Sequence, residues 1–189
     1  RSGLVSEMGF RLFVSQIQAG RISSLRFSID SATLSKIAQE SWLYLRQLKG
    51  SSHSLEEITP YESSLALQIA KRLGWYFSMD VQAENLVGMP RFDGCGLLDS
   101  CEGDVLADNC LYEIKNVERR FRLVDVRQVL VYTALNYAKK SYPIGDVALI
   151  NAKSGKVFRI SIEALSKDIA GTSASGLLTE IVEFMSTET

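Results

Sequence analysis

The stretch "GDVLADNCLYEIKNV", residues 103–117, places Asp104 and Glu113 on either side of Asp108-Asn109. Asp-Asn suits a two-residue hairpin turn, because both side chains tolerate positive φ. Such a turn pairs Ala107 with Cys110, Leu106 with Leu111, Val105 with Tyr112, Asp104 with Glu113, and Glu102 with Lys115. Side chains alternate along a strand, so Glu102, Asp104, Glu113 and Lys115 share one face, and Val105, Tyr112 and Ile114 the other. Opposed residues have Cβ atoms about 4.5–5.5 Å apart, where like charges repel. Two carboxylates coexist there if one is protonated, if lysine neutralises them, or if a hard cation lies between them. The competing reading is a solvated hairpin face.

The elements around this stretch read as follows. Residues 10–17, "FRLFVSQI", and 22–29, "ISSLRFSI", read as two strands, and 30–50 as a helix ending at Gly50. "GSSHSLEEI" is the best linker. In "TPYESSLALQIAKRLG", Thr59, Pro60 and Glu62 make a capping box that opens a helix, with Gly74 as its stop. "WYFSMDVQ" reads as extended. Short strands follow from Gly94: "GCGLLD", "EGDVLA" and "CLYEIKNV". A largely apolar helix at about 123–139 comes next. "DVALINA" and "KVFRISI" are strands about a Lys-Ser-Gly turn, and one or two short helices end the chain. The fold class expected is mixed α/β or α+β with an open sheet.

The composition narrows the function. The 189 residues suit one domain with a smaller attachment, and an apolar fraction of 46% excludes a disordered chain. No apolar run reaches the about 18 residues that cross a bilayer. The amino end lacks a signal-peptide core and an initiating methionine, so it reads as a processed or cut terminus of a longer chain. A net charge of −1 gives no global field for nucleic acid. Locally, Lys115, Arg119, Arg120, Arg122 and Arg127 outnumber Glu118 and Asp125. Cys95, Cys101 and Cys110 form no CxxC pair and have only His53 as company, which is not zinc spacing. A sparse, odd cysteine count suits a reducing, cytoplasmic compartment, with thiols as small buried apolar groups. A nucleophilic pair or triad would depend on His53, which lies in the linker.

The order Asp104-x8-Glu113-x-Lys115 on adjoining strands, between two helices, resembles the PD-(D/E)xK nuclease superfamily. Asp104 matches the motif's aspartate, Glu113 its acidic residue and Lys115 its lysine, while Gly103 stands where proline often does. "QVLVY" supplies Gln128-x-x-x-Tyr132, similar to the QxxxY motif of the RecB-like branch, and residues four apart share a helical face. The resemblance covers about residues 59–153. It implies a restriction-endonuclease-like αβββαβ core over 58–189, with 1–57 as a strand–strand–helix extension of unknown role.

It also implies a metal-dependent deoxyribonuclease. Asp104, Glu113 and the Ile114 carbonyl would hold Mg²⁺, with Mn²⁺ as a substitute, and Glu62 is a further candidate ligand beside its capping role. Lys115 would act on the attacking water and the phosphate charge, against the alternative of a cross-strand pair with Glu102. Gln128 and Tyr132 would position substrate or water, or else bond to nearby backbone. Arg119, Arg120 and Arg122 would contact backbone phosphate. Asp93 and Asp99 are spare carboxylates, and Tyr137, Tyr142 and Trp75 are stacking candidates better explained by packing. The expected partner is DNA, in DNA processing or antiviral defence, with a protein partner or homo-oligomer adding surface. Two alternatives are a nuclease-like module that binds nucleic acid or protein without cutting, and a hydrolase of another phosphate ester.

Overall fold

The computed structural model describes residues 1–20, 29–49 and 57–187. The chain forms two compact units, Arg1–Gln82 and Ala83–Thr189. The division falls after residue 82 rather than at 57.

The first unit is helical. It contains α1 (Ser2–Gln18), α2 (Ser31–Lys49) and α3 (Pro60–Trp75), followed by a π-helical turn at Tyr76–Val81. Residues 10–17 are therefore helix, not strand. The buried positions Leu4, Val5, Met8, Leu12 and Phe13 recur with helical period and begin upstream of the run that looked extended. Gly9 lets α1 approach α3: a Cβ there would lie 2.7 Å from the Ile69 Cβ. Phe13 stacks on Phe77 at 5.4 Å, so "WYFSMDVQ" continues α3 as a wider turn and is not extended. The strand expected at 22–29 falls almost wholly outside the described residues, as do most of the linker and His53.

The second unit is mixed α/β. Its strands are β1 (Leu86–Gly88), β2 (Arg91–Phe92), β3 (Cys101–Glu102), β4 (Val105–Ala107) and β5 (Cys110–Lys115). Then come α4 (Leu123–Lys139), β6 (Asp146–Asn151), β7 (Lys156–Ser161), α5 (Ile162–Ala170) and α6 (Ala174–Ser186). The main sheet runs β1-β4-β5-β6-β7, and β2 and β3 form a separate two-stranded ribbon. β5 and β6 are parallel, joined by the α4 crossover, and the other pairs of the main sheet are antiparallel. "GCGLLD" is not a strand. It is a turn closed by the Cys95–Leu98 bridge and tied to α6 by the Leu97 amide on the Met185 carbonyl.

The β4–β5 hairpin has the expected register: Val105 with Tyr112, Leu106 with Leu111 and Ala107 with Cys110. Asp108 takes φ +52° at the turn. Its carboxylate accepts the Asn85 amide at 2.9 Å, which ties the turn to the chain entering β1. Leu106, Leu111, Leu149, Val129, Leu135 and Leu178 join one core of strands and helices. Each such buried side chain contributes about 1.5–3 kcal/mol relative to exposure. Alternation from Leu111 carries Glu113 and Lys115 to the same side of β5, where α4 packs. Among the described residues, no helix is long and apolar enough to cross a membrane.

Candidate functional site

The site forms where β5 runs out beside α4. Lys115 is its hub. Its ammonium donates to Glu113 Oε1 at 2.6 Å and to Gln128 Oε1 at 2.9 Å, and stands 3.8 Å from Asp125 Oδ1. The expected pair with Glu102 does not form. Glu102 is exposed in β3 and registers with Arg91 in the separate ribbon, because β4 begins only at Val105 and the chain before it turns away.

Gly103 is the pivot of that departure. Its amide donates to the Pro90 carbonyl at 2.9 Å. A Cβ on it would meet Phe92 Cε2 at 3.0 Å and Leu111 Cδ1 at 3.2 Å. The proline often found at this place in the motif could neither donate nor fit without movement.

Asp104, just past the end of the β4 ladder, turns its carboxylate onto β5. Its Oδ2 accepts the Ile114 amide at 2.6 Å. Asp104 and residues 113–115 are thus linked by a side chain instead of by a further rung.

Glu113 is only 3% exposed. One oxygen takes the Lys115 ammonium; Oε2 is buried without a hydrogen-bond partner among the described residues. Burial pushes the Glu113 carboxyl above its usual range, Lys115 pulls it back, the Asp125 charge adds to the rise, and the neighbouring Gln128 side chain lowers it slightly. An orphaned, buried carboxylate oxygen is costly unless something charged or protic meets it.

Gln128 and Tyr132 lie together on α4. Gln128 donates from Nε2 to the Tyr132 hydroxyl at 2.8 Å while its Oε1 accepts from Lys115. The glutamine amide is therefore oriented by its two neighbours. Tyr132 stacks on Phe92 at 5.7 Å, which fixes its ring. Its phenol is pushed well above the ordinary range, first by burial, with the charges of Glu113 and Asp104 adding to the effect.

The arginines divide. Arg119 forks onto Asp125, with contacts of 2.6 and 2.8 Å, so it is committed within the protein rather than offered to phosphate. Arg120, Arg122 and Arg127 are exposed. Asp125, missed in the sequence, is 2% exposed and also accepts the Arg122 amide at 2.8 Å. The signal was available: Asp125, Gln128 and Tyr132 follow i, i+3, i+7 and share a helical face.

The remaining candidates have other surroundings. Glu62 belongs to the first unit, where its Oε2 accepts the Thr59 amide at 2.9 Å and its Oε1 pairs with Arg1 at 2.9 Å. The capping box is complete. Asp93 and Asp99 are exposed. Tyr142 packs edge-on against Phe92. The three cysteines are free, and only Cys110 is buried; burial pushes its thiol up to about 11.

Among the described residues, no three His, Cys, Asp or Glu side chains come together as a ready-made metal cage. The acidic side chains around Lys115 are Glu113 and Asp125, and Asp104 is tied to the same strand through the Ile114 amide. No protein-family model, curated protein or solved structure matches the chain.

Proposed function

We propose that the second unit is a divalent-cation-dependent nuclease of the PD-(D/E)xK type that hydrolyses DNA phosphodiester bonds. One observation carries the reading. A buried glutamate keeps one oxygen on a lysine and the other without a partner, while Asp104, from the neighbouring chain segment, accepts the amide of Ile114, the residue after that glutamate. The orphaned Glu113 Oε2 is a fitting ligand for a hard cation. Asp104, Glu113 and the Ile114 carbonyl would hold it. A bound magnesium ion supplies Lewis acidity, withdrawing charge from a phosphate oxygen and lowering the pKa of water.

The chain's own residues supply the rest. Lys115 offers a fixed positive charge where negative charge develops on the phosphate. Gln128 and Tyr132 hold that ammonium from the helix and keep the Glu113–Lys115 pair in register. Arg120, Arg122 and Arg127 give exposed positive charge that binds phosphate without reading sequence. The β1-β4-β5-β6 arrangement, with its α4 crossover, supports the resemblance read from the sequence.

A second reading has its own observation. The Lys115–Glu113 ion pair neutralises the site without any cation, as would serve a nuclease-like module that binds nucleic acid and does not cut. Incubation with linear, circular, single- and double-stranded DNA, with Mg²⁺ or Mn²⁺ and with chelator, separates the two. Cation-dependent cleavage lost in Asp104→Asn supports the nuclease. Binding of the same DNA without cleavage under any cation supports the module.

A further inference from the structure

Lys115 has three ammonium protons and two close acceptors, Glu113 and Gln128. The nearby Asp125 Oδ1, at 3.8 Å, belongs to a carboxylate that does more than a helix start requires. A capping role needs only the Arg122 amide, which Asp125 already accepts. Burying a carboxylate is costly unless its charge is met. Here it is met twice: by the Arg119 fork on one side and by the Lys115 ammonium on the other. Arg119 is itself fixed. Its Nη1 also reaches the Arg120 carbonyl at 3.0 Å, and Asn151 Nδ2 donates to the Val117 carbonyl at 2.8 Å. The result is a chain of alternating charge, Glu113–Lys115–Asp125–Arg119, running from strand to helix to loop.

We infer that Asp125 is a positioning residue that anchors the Lys115 ammonium from α4, with Arg119 as the clamp that immobilises the anchor. The reason is electrostatic. Any cation drawn to Glu113 repels the ammonium bonded to the same carboxylate. Gln128, being neutral, offers little to counter that push. Asp125 supplies the opposing negative charge, so the lysine keeps its place when Glu113 is engaged elsewhere. The geometric part of this inference stands on the structure alone; its consequence for cleavage rests on the nuclease reading.

The test is a double-variant cycle of Asp125→Asn and Lys115→Met, read in two ways. Asparagine keeps an acceptor for the Arg122 amide and removes the charge. The first reading is the melting temperature in chelator, which needs no activity. The anchor predicts that the double variant melts higher than the two single shifts would give if added, because both remove one interaction. Additive shifts would overturn it. The second reading is single-turnover cleavage at saturating Mg²⁺ and DNA. Asp125→Asn should lose about tenfold to a hundredfold in rate, the size of a misplaced catalytic group, while DNA affinity in chelator holds within about threefold. The double variant should cut no more slowly than Lys115→Met alone, and a further loss would overturn the inference. Asp125→Glu, which keeps the charge and the capping acceptor, should recover part of the rate. Should Asp125→Asn not fold, Arg119→Gln replaces it: the cleavage expectations are unchanged, but the double variant with Lys115→Met should then melt lower than the summed single shifts, because buried Asp125 loses both countercharges; additive shifts would again overturn the anchor. If the wild-type chain cuts none of the DNAs, the nuclease reading fails, and the melting cycle alone upholds or overturns the anchor.

Discussion

The Asp104 carboxylate accepts the Ile114 amide at 2.6 Å, ten residues along the chain. It does so where the β4–β5 ladder has already ended at Val105 and Tyr112. A candidate cation ligand is thus also the group that satisfies a backbone donor, which divides its two substitutions. Asp104→Asn retains an oxygen for the amide and loses only charge. Asp104→Ala leaves the amide unpaired at a cost of about 1–3 kcal/mol. Thermal melts with and without Mg²⁺ should show Asp104→Asn melting near wild type in chelator but gaining nothing from Mg²⁺. Asp104→Ala should be lower in both. Equal melting of Ala and Asn in chelator would show that the amide bond contributes nothing.

Gly103 answers to packing rather than chemistry. Gly103→Ala forces a Cβ to within 3.0 Å of Phe92 Cε2, and overpacking of this kind costs about 1–3 kcal/mol. Gly103→Pro additionally deletes the amide bond to Pro90. Urea denaturation should rank the three as wild type, alanine, proline. A stable proline variant would mean that the chain before β4 is laid differently.

Lys115→Met should be destabilising, and by an amount that depends on pH. Glu113 has its folded pKa raised above 4.5. A carboxyl so shifted contributes stability that is present below 4.5 and lost as pH rises through the folded value. Lys115 is the main force opposing that rise, so removing it pushes the value higher. Removing one partner of a buried pair costs about 3–5 kcal/mol, less where the survivor takes a proton. Denaturation in chelator should therefore show a small penalty near pH 4 that grows toward neutrality. A penalty independent of pH would place the loss in packing.

The hairpin was legible because local chemistry settles it: a two-residue turn fixes register, and alternation then assigns Glu113 and Lys115 to one face. The Lys115–Glu102 pair was not legible. It assumed that β4 extends to Glu102, whereas the ladder ends at Val105 and Glu102 pairs with Arg91 in the separate ribbon. Residues 10–17 misled because Phe10, Phe13, Val14 and Ile17 are good strand formers, and the helical period shows only when Leu4, Val5 and Met8 are included. Asp125 resembled an ordinary first-turn carboxylate. Its ionic partners, Lys115 and Arg119, come from the strand end and the loop, and only tertiary structure brings them to it. The Arg119 fork on Asp125 was hidden for the same reason.

Acid should reveal Asp125. Bonds from Arg119 hold its carboxyl at about 2, against an ordinary 3.8. A depressed carboxyl contributes stability that is present above 3.8 and lost as pH falls through about 2. Melting temperatures between about pH 5 and pH 2 should fall more steeply for wild type than for Asp125→Asn, which has no proton to take up. The two curves should converge at the acid end. Parallel curves would mean that the Arg119 fork does not hold the carboxylate in solution.

Salt dependence should separate arginines that meet DNA from one that is held within the protein. Each cationic side chain that neutralises a phosphate of duplex DNA adds about 0.9 to the slope of log affinity against log salt. Arg120, Arg122 and Arg127 are exposed beside the site; Arg119 is spent on Asp125. Binding of a labelled duplex should be followed by anisotropy in chelator, so that cleavage does not intrude, over a series of salt concentrations. Arg120→Gln, Arg122→Gln and Arg127→Gln should each weaken binding and flatten the slope by up to about 0.9, with melting temperature nearly unchanged. Arg119→Gln should lower the melting temperature and leave the slope intact. If Arg119→Gln flattens the slope as the others do, its guanidinium leaves Asp125 for phosphate when DNA binds, and Asp125 then depends on Lys115 alone for its countercharge. A wild-type affinity indifferent to salt would remove duplex DNA as the partner of this surface.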